Sequence, residues 1–173
     1  MFKHFKKIYK NKKGDLNIFS LIAIPALFAG FYAGVGLYSS YSSVKSRAQT
    51  ALDASLLYLS TQGKASTLIG NDGNPIELCS FQDDEEFRLK FENYIVKGLF
   101  SKINGYSSQW TIGYEIKTVP NDNVDYISIT VKAVVPVGNI VDYNSYYNSH
   151  PNWKSSLTRS FTLTGTSQCR SLE

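Results

Sequence analysis

The pattern of apolar and polar positions divides the chain into stretches with different periods. From Leu16 to Val44 no residue is charged, and the part from Leu16 to Tyr38 is almost wholly apolar or small. At about 1.5 Å per helical residue this part reaches across a bilayer core of roughly 30 Å, which predicts a transmembrane helix. A cleaved signal peptide is the competing assignment, but its apolar region runs only about 7–15 residues and ends in small residues of the A-x-A type. Ala29, Ala33 and Gly36 form only a weak cleavage site. A buried core helix fits the uncharged length less well still. Beyond the apolar run, Tyr41, Val44, Ala48, Ala51, Leu52, Leu56 and Leu59 recur at spacings of three and four, while Lys45, Arg47, Gln49 and Asp53 fall mostly elsewhere on the wheel. The two patterns join into one helix from about Asp15 to Leu59, on the order of 65 Å long. Pro25 predicts a kink, which membrane helices tolerate when neighbouring groups satisfy the freed carbonyl. Gly30 and Gly34, extended by Ala26, make a small-residue face that lets another helix approach closely, against the alternative that glycine is simply frequent in membrane helices.

After Ser60 the period is lost. Gly63, Gly70, Asn71, Asp72, Gly73, Asn74 and Pro75 mark a linker or a hairpin turn, with N-D-G as the turn signal. A helix follows in QDDEEFRLKFENYIVKGLFSKI, where Phe87, Phe91, Tyr94, Ile95 and Leu99 share a face. Its acids, Asp83 to Glu86, complement the positive end of the helix dipole, with Asp83 and Glu86 spaced as a capping box, and lack the D-x-D-x-D-G pattern of a calcium loop. Asp84 with Arg88 and Glu86 with Lys90 supply i,i+4 pairs. From Gln109 the period becomes two. Trp110, Ile112, Tyr114 and Ile116 alternate with polar or small residues, and so do Ile127, Ile129, Val131 and Ala133. Pro120 to Asn123 is the loop between these two strands, and Leu157 to Thr166 predicts a third. The fold class is therefore α+β: a long N-terminal transmembrane helix continuing into an exported head with one amphipathic helix and a small antiparallel sheet.

Charge adds an orientation. The chain of 173 residues is 43% apolar and 14% aromatic, enough for one compact domain and unlike a disordered segment. Its net charge of +4 comes from Lys3, Lys6, Lys7, Lys10, Lys12 and Lys13; the other twelve basic residues face fourteen acidic ones, a net of −2. The body carries no basic surplus of the kind that tracks phosphates, so no nucleic acid is expected as a partner. Lysines before the first span stay cytoplasmic, and only Lys45 and Arg47 lie just beyond it, so the residues after about Tyr41 are placed outside. The organisation is a basic cytoplasmic tail over residues 1–14, the transmembrane helix and its exported extension over 15–60, and an exported head over 61–173.

The segment KKGDLNIFSLIAIPALFAGFYAGVGLYSSYSSVKSRAQTALDASLLYLS resembles the N-terminal part of TadE/TadG-like proteins of the Tad (tight-adherence, Flp-type) pilus system. The matching features are the basic tail with Gly14, Pro25 eleven residues later, the segment bearing Tyr38 and Tyr41, and Gln49, Ala51, Asp53 and Ala54 in SRAQTALDASLL. Prepilins and TadE-type pseudopilins carry Glu five residues after the processed glycine, and Phe19 stands there. This tilts the resemblance towards TadG and implies an N-terminus that is not processed. Many TadG-like proteins hold a large insert resembling a von Willebrand A domain, for which the residues after Ser60 leave no room. The resemblance covers about the first sixty residues and implies a structural or assembly component of a Tad-type pilus, a minor pilin-like subunit whose partners are the membrane and other pilus subunits or assembly proteins. The strands ending in VKAVVPVGNIV and RSFTLTGTSQC also look like the distal sheet of TadG-type proteins.

Candidate chemistry is sparse. His4 lies in the tail and His150 beside Pro151, which leaves almost no material for a Ser/His/Asp relay or a histidine-rich metal site. GKAS at Gly63 to Ser66 lacks the spacing of a phosphate-binding loop. No catalytic residue, cofactor, metal or small-molecule substrate is expected. Cys79 and Cys169 both fall in the exported part, where an even count favours a disulfide over two buried thiols. The run YNSYYNSHPNW, with Tyr143, Tyr146, Tyr147 and Trp153, has neither helical nor strand period. It is an ordinary surface loop or a recognition loop, since rigid rings give contact area at low entropic cost. The recognition alternative makes the protein a membrane-anchored module for an extracellular ligand.

Overall fold

A computed structural model describes residues 18–136 and 158–169. The long apolar period becomes helix α1, Ile18–Ser60, unbroken through Pro25. By contacts the chain divides into two compact units, residues 1–39 and 40–173. In the first unit the described residues of α1 are exposed almost throughout. The described residues hold one helix long and apolar enough to cross a membrane; its best window has a mean hydropathy of 1.8 and none of it is buried.

In the second unit α1 carries the stripe its spacing predicts. Val44, Ala48, Leu52 and Leu59 are buried, with Tyr41, Ala51 and Leu56 partly so. Ser55 and Ser60 lie in the same buried stripe because their hydroxyls donate back to Ala51 O and Leu57 O within the helix, at 2.6 and 2.7 Å. The stripe packs on a three-stranded antiparallel sheet of β3, Thr111–Val119, β4, Val124–Pro136, and β5, Thr158–Ser167, with β4 in the centre. Alternation on β4 buries Ile127, Ile129, Val131, Ala133 and Val135. Across the interface the Tyr41 and Phe161 rings meet edge to face, and Tyr41 Oη donates to Ser160 O at 3.2 Å. Gly165 of β5 lies so close to α1 that a Cβ there would collide with Leu56 Cδ1. The β3–β4 loop is Pro120 to Asn123, as its composition indicates, with Asn121 and Asn123 at φ of 81° and 51°. Asparagine is one of the few residues that enter this region readily.

The stretch after Ser60, read as a linker or a hairpin turn, is the second of these: a strand pair, β1, Lys64–Ile69, and β2, Pro75–Ser80, running antiparallel around the Asn-Asp-Gly turn. All six residues of β1 are exposed, so KASTLI has no alternation to read. The helix α2, Glu85–Lys90, is capped one residue later than the capping-box spacing suggests. Asp84 is extended and its Oδ1 accepts from the Phe87 backbone N–H at 2.8 Å. With Glu85 thereby in the first turn, Arg88 pairs with Glu85 at 2.5 Å, not with Asp84, whereas Glu86 pairs with Lys90 at 2.8 Å as expected.

Beyond Lys90 the helix widens. Phe91–Leu99 is π-helical and Phe100–Lys102 is a 3₁₀ turn. An i→i+5 repeat moves the apolar face on by one residue per turn relative to an α-helix. The buried side chains are consequently Phe87, Phe91, Ile95 and Phe100, while Leu99 is only half-buried and Tyr94 is 42% exposed. Tyr94 instead stacks on Tyr58 of α1, with ring centroids 3.9 Å apart.

Candidate interaction surfaces

The small-residue face proposed for helix packing is open. A Cβ built on Gly30, Gly34 or Gly36 would meet nothing within 4 Å, and Ala26, one helical turn before Gly30, is exposed in the same run. Leu27, Phe28 and Phe31 are 73, 58 and 68% exposed. This half of α1 thus offers apolar and small side chains with no charged residue among them, a surface suited to lipid or to another apolar helix.

The Gln-Ala-Asp-Ala signature lies in the packed half. Gln49 Nε2 donates to Asp53 Oδ1 at 2.8 Å, one helical turn apart, while Ala51 packs at the edge of the core. Its two polar members bond to each other and its first alanine turns inward. Nothing in the arrangement calls for a ligand.

Cys79 of β2 and Cys169 just after β5 form the disulfide, with Cα atoms 5.6 Å apart and Cys79 buried. The Cys169 N–H also donates to Cys79 Sγ at 3.0 Å. Gly63 belongs to the same knot: a Cβ there would lie 2.6 Å from Cys169 Cβ and 2.9 Å from both Cys79 Sγ and Phe81 Cε1. The turn out of α1, the base of the β1–β2 hairpin and the end of β5 are therefore held at one point. The cysteine pair was legible in the sequence; the role of Gly63 was not, because its neighbours come from distant segments.

Asp83, released from capping, accepts from Tyr114 Oη at 2.5 Å and so joins the entry of α2 to β3. Burial, and next the hydrogen bond to the Asp83 carboxylate, push the Tyr114 hydroxyl up to about 12. The ring packs against Phe87 and Phe91. A groove lined by Gln62, Lys64, Gln82, Asp84, Glu86 and Lys90 holds several charged groups. Asp84 is committed to the helix cap and Glu86 to Lys90. Among the described residues no group of His, Cys, Asp and Glu is placed to hold a metal ion. Tyr143, Tyr146, Tyr147 and Trp153 lie outside the described residues, as do His4, Gly14 and His150.

Compared with protein-family models, curated proteins and solved structures, the chain matches none.

Proposed function

We propose that the chain is a single-pass membrane protein, with its basic tail in the cytoplasm and its head exported, that serves as a structural or assembly component of a Tad-type pilus, a minor pilin-like subunit. The observation that carries this reading is α1. One 43-residue helix is exposed and free of charge over its apolar half and bears a buried stripe under an antiparallel sheet over the other. A helix so divided is an anchor and a structural spine at once. The likeness of its sequence to TadE/TadG-like segments, through Gly14, Pro25, Gln49, Ala51, Asp53 and Ala54, adds the system to which it would belong. The six lysines before the span favour the orientation. The mechanism is association: the span meets lipid or a partner helix and the head meets other subunits. No catalytic step is assigned.

The test is deletion of the coding sequence in the source cell and inspection of surface fibres by electron microscopy. Fibres should be lost or sharply reduced and return when the full chain is supplied. Unchanged fibres in the deletion strain would overturn the pilus assignment.

A further inference from the structure

We propose that β1 is an open edge that pairs antiparallel with β1 of a second copy of this chain, closing a two-fold dimer through a four-stranded ribbon. Among the described residues strand β1 has one neighbour, β2, and all six of its residues are exposed. The ribbon is apolar towards its turn on both faces. Leu68 and Ile76 on one face are 55 and 49% exposed, and Ile69 on the other is 81% exposed. A two-stranded ribbon alone is marginal in water, yet this one is fixed at its base by the Cys79–Cys169 disulfide. An exposed apolar edge without proline is a template for another strand.

The backbone specifies which groups of β1 face outward. Ile69 stands opposite Pro75, which has no N–H, and Gly70 N–H donates to Asn74 O at 2.8 Å. Alternation then turns the N–H and C=O of Lys64, Ser66 and Leu68 towards β2, and those of Ala65, Thr67 and Ile69 outward. Two such edges bond only where outward residues stand opposite one another. The pairing centred on Thr67 satisfies every outward group: Thr67 faces Thr67 of the second copy, and Ala65 faces its Ile69. In the same register Ser66 faces Leu68, and Lys64 comes beside the second copy's Gly70, next to the turn that carries Asp72. No like charges stand opposite. Lys64, which makes no ion pair among the described residues, gains an acidic neighbour at each end of the ribbon. Cross-strand Thr–Thr pairs of this kind stabilise antiparallel sheets. It is this self-complementarity that favours a second copy over a foreign strand. A two-fold contact closes and does not propagate, and it stands whether or not the pilus reading holds.

The test uses the full chain in detergent, with mass measured across a concentration series, for wild type and Thr67→Pro. Proline at this position removes an outward N–H and none of those that bond β2, so the hairpin keeps its ladder. Wild type should be dimeric and the variant weakened on the order of tenfold or more, since several backbone hydrogen bonds go with the lost register. In a second measurement, Thr67→Cys should give a reducible covalent dimer under mild oxidation, whereas Thr162→Cys, exposed on β5, should not. A monomer at every concentration, a dimer indifferent to Thr67→Pro, or equal cross-linking at both cysteines would each overturn edge pairing. The middle result would move the contact to the membrane helix.

Discussion

At the scale of single residues, two side-chain environments set how the head holds together. Gly63 has no room for a methyl, which would strike the Phe81 ring and two atoms of a disulfide that cannot swing aside. Gly63→Ala should therefore cost about 1–3 kcal/mol, the usual range for overpacking. Denaturant unfolding of the full chain, with and without reductant, checks this: the penalty should shrink once the disulfide is opened and Cys169 can retreat. Tyr114 gives the head a pH dependence at the alkaline end. Its folded-state pKa of about 12 lies above the ordinary value of 10.0, so the folded chain keeps a proton that the unfolded chain loses. The resulting stabilisation is complete below pH 10.0 and is lost as pH rises towards about 12. Wild type should lose stability across this interval more steeply than Tyr114→Phe, which retains the packing on Phe87 and Phe91 but has no proton to lose. Equal slopes in urea unfolding series at successive pH values would refute the Asp83–Tyr114 coupling.

The entry of helix α2 offers a direct comparison between neighbours in sequence. Asp84→Ala removes the acceptor for the Phe87 N–H and should destabilise by about 0.5–2 kcal/mol, the range for N-cap losses. Asp83→Ala removes a bond to Tyr114 and should leave helix content unchanged. Circular dichroism with unfolding midpoints separates the two, and a larger helix loss in the Asp83 variant would restore the earlier cap. This one-residue difference shows where the sequence stops being informative. Periods long enough to repeat were legible: the uncharged run and the stripe from Tyr41 to Leu59 gave α1, and the alternation at Ile112 to Ile116 and Ile127 to Ala133 gave β3 and β4. The pairing of Cys79 with Cys169 was legible from the even count alone. What escaped was structure with no repeat to detect. Strand β1 exposes both faces, so nothing distinguishes KASTLI from a loop. The π-helical turn changes the period within a single helix, which exchanges Leu99 for Phe100 in the core. Two adjacent aspartates are equivalent to a pattern but not to a backbone, since it is the Asp84 carboxylate that accepts from the Phe87 N–H while that of Asp83 accepts from Tyr114.

For the whole molecule the questions are which side of a membrane the head occupies and what the span meets there. With six lysines ahead of the span, a label that does not cross membranes should modify Ser107→Cys in intact cells and leave His4→Cys untouched; the reverse pattern would invert the topology. The open face of α1 then separates a packed subunit from a plain anchor. Gly30 has free space around it in the isolated chain, so Gly30→Leu costs nothing within the monomer and adds to the hydrophobicity of the segment. If Ala26, Gly30 and Gly34 line a contact with another helix, the same leucine occupies the place where two backbones approach. Overpacking at about 1–3 kcal/mol weakens such an association roughly five- to a hundredfold, at about 1.4 kcal/mol per decade. Membrane level, cross-linking to neighbouring proteins and surface fibres are to be compared for wild type, Gly30→Leu and the volume-neutral Leu27→Ile. The expected outcome is normal membrane level in all three, with cross-links and fibres reduced only in the glycine variant. Because the substitution leaves the β1 edge untouched, a Gly30→Leu protein that retains its cross-links and fibres would remove the span from assembly and leave the head to make every partner contact.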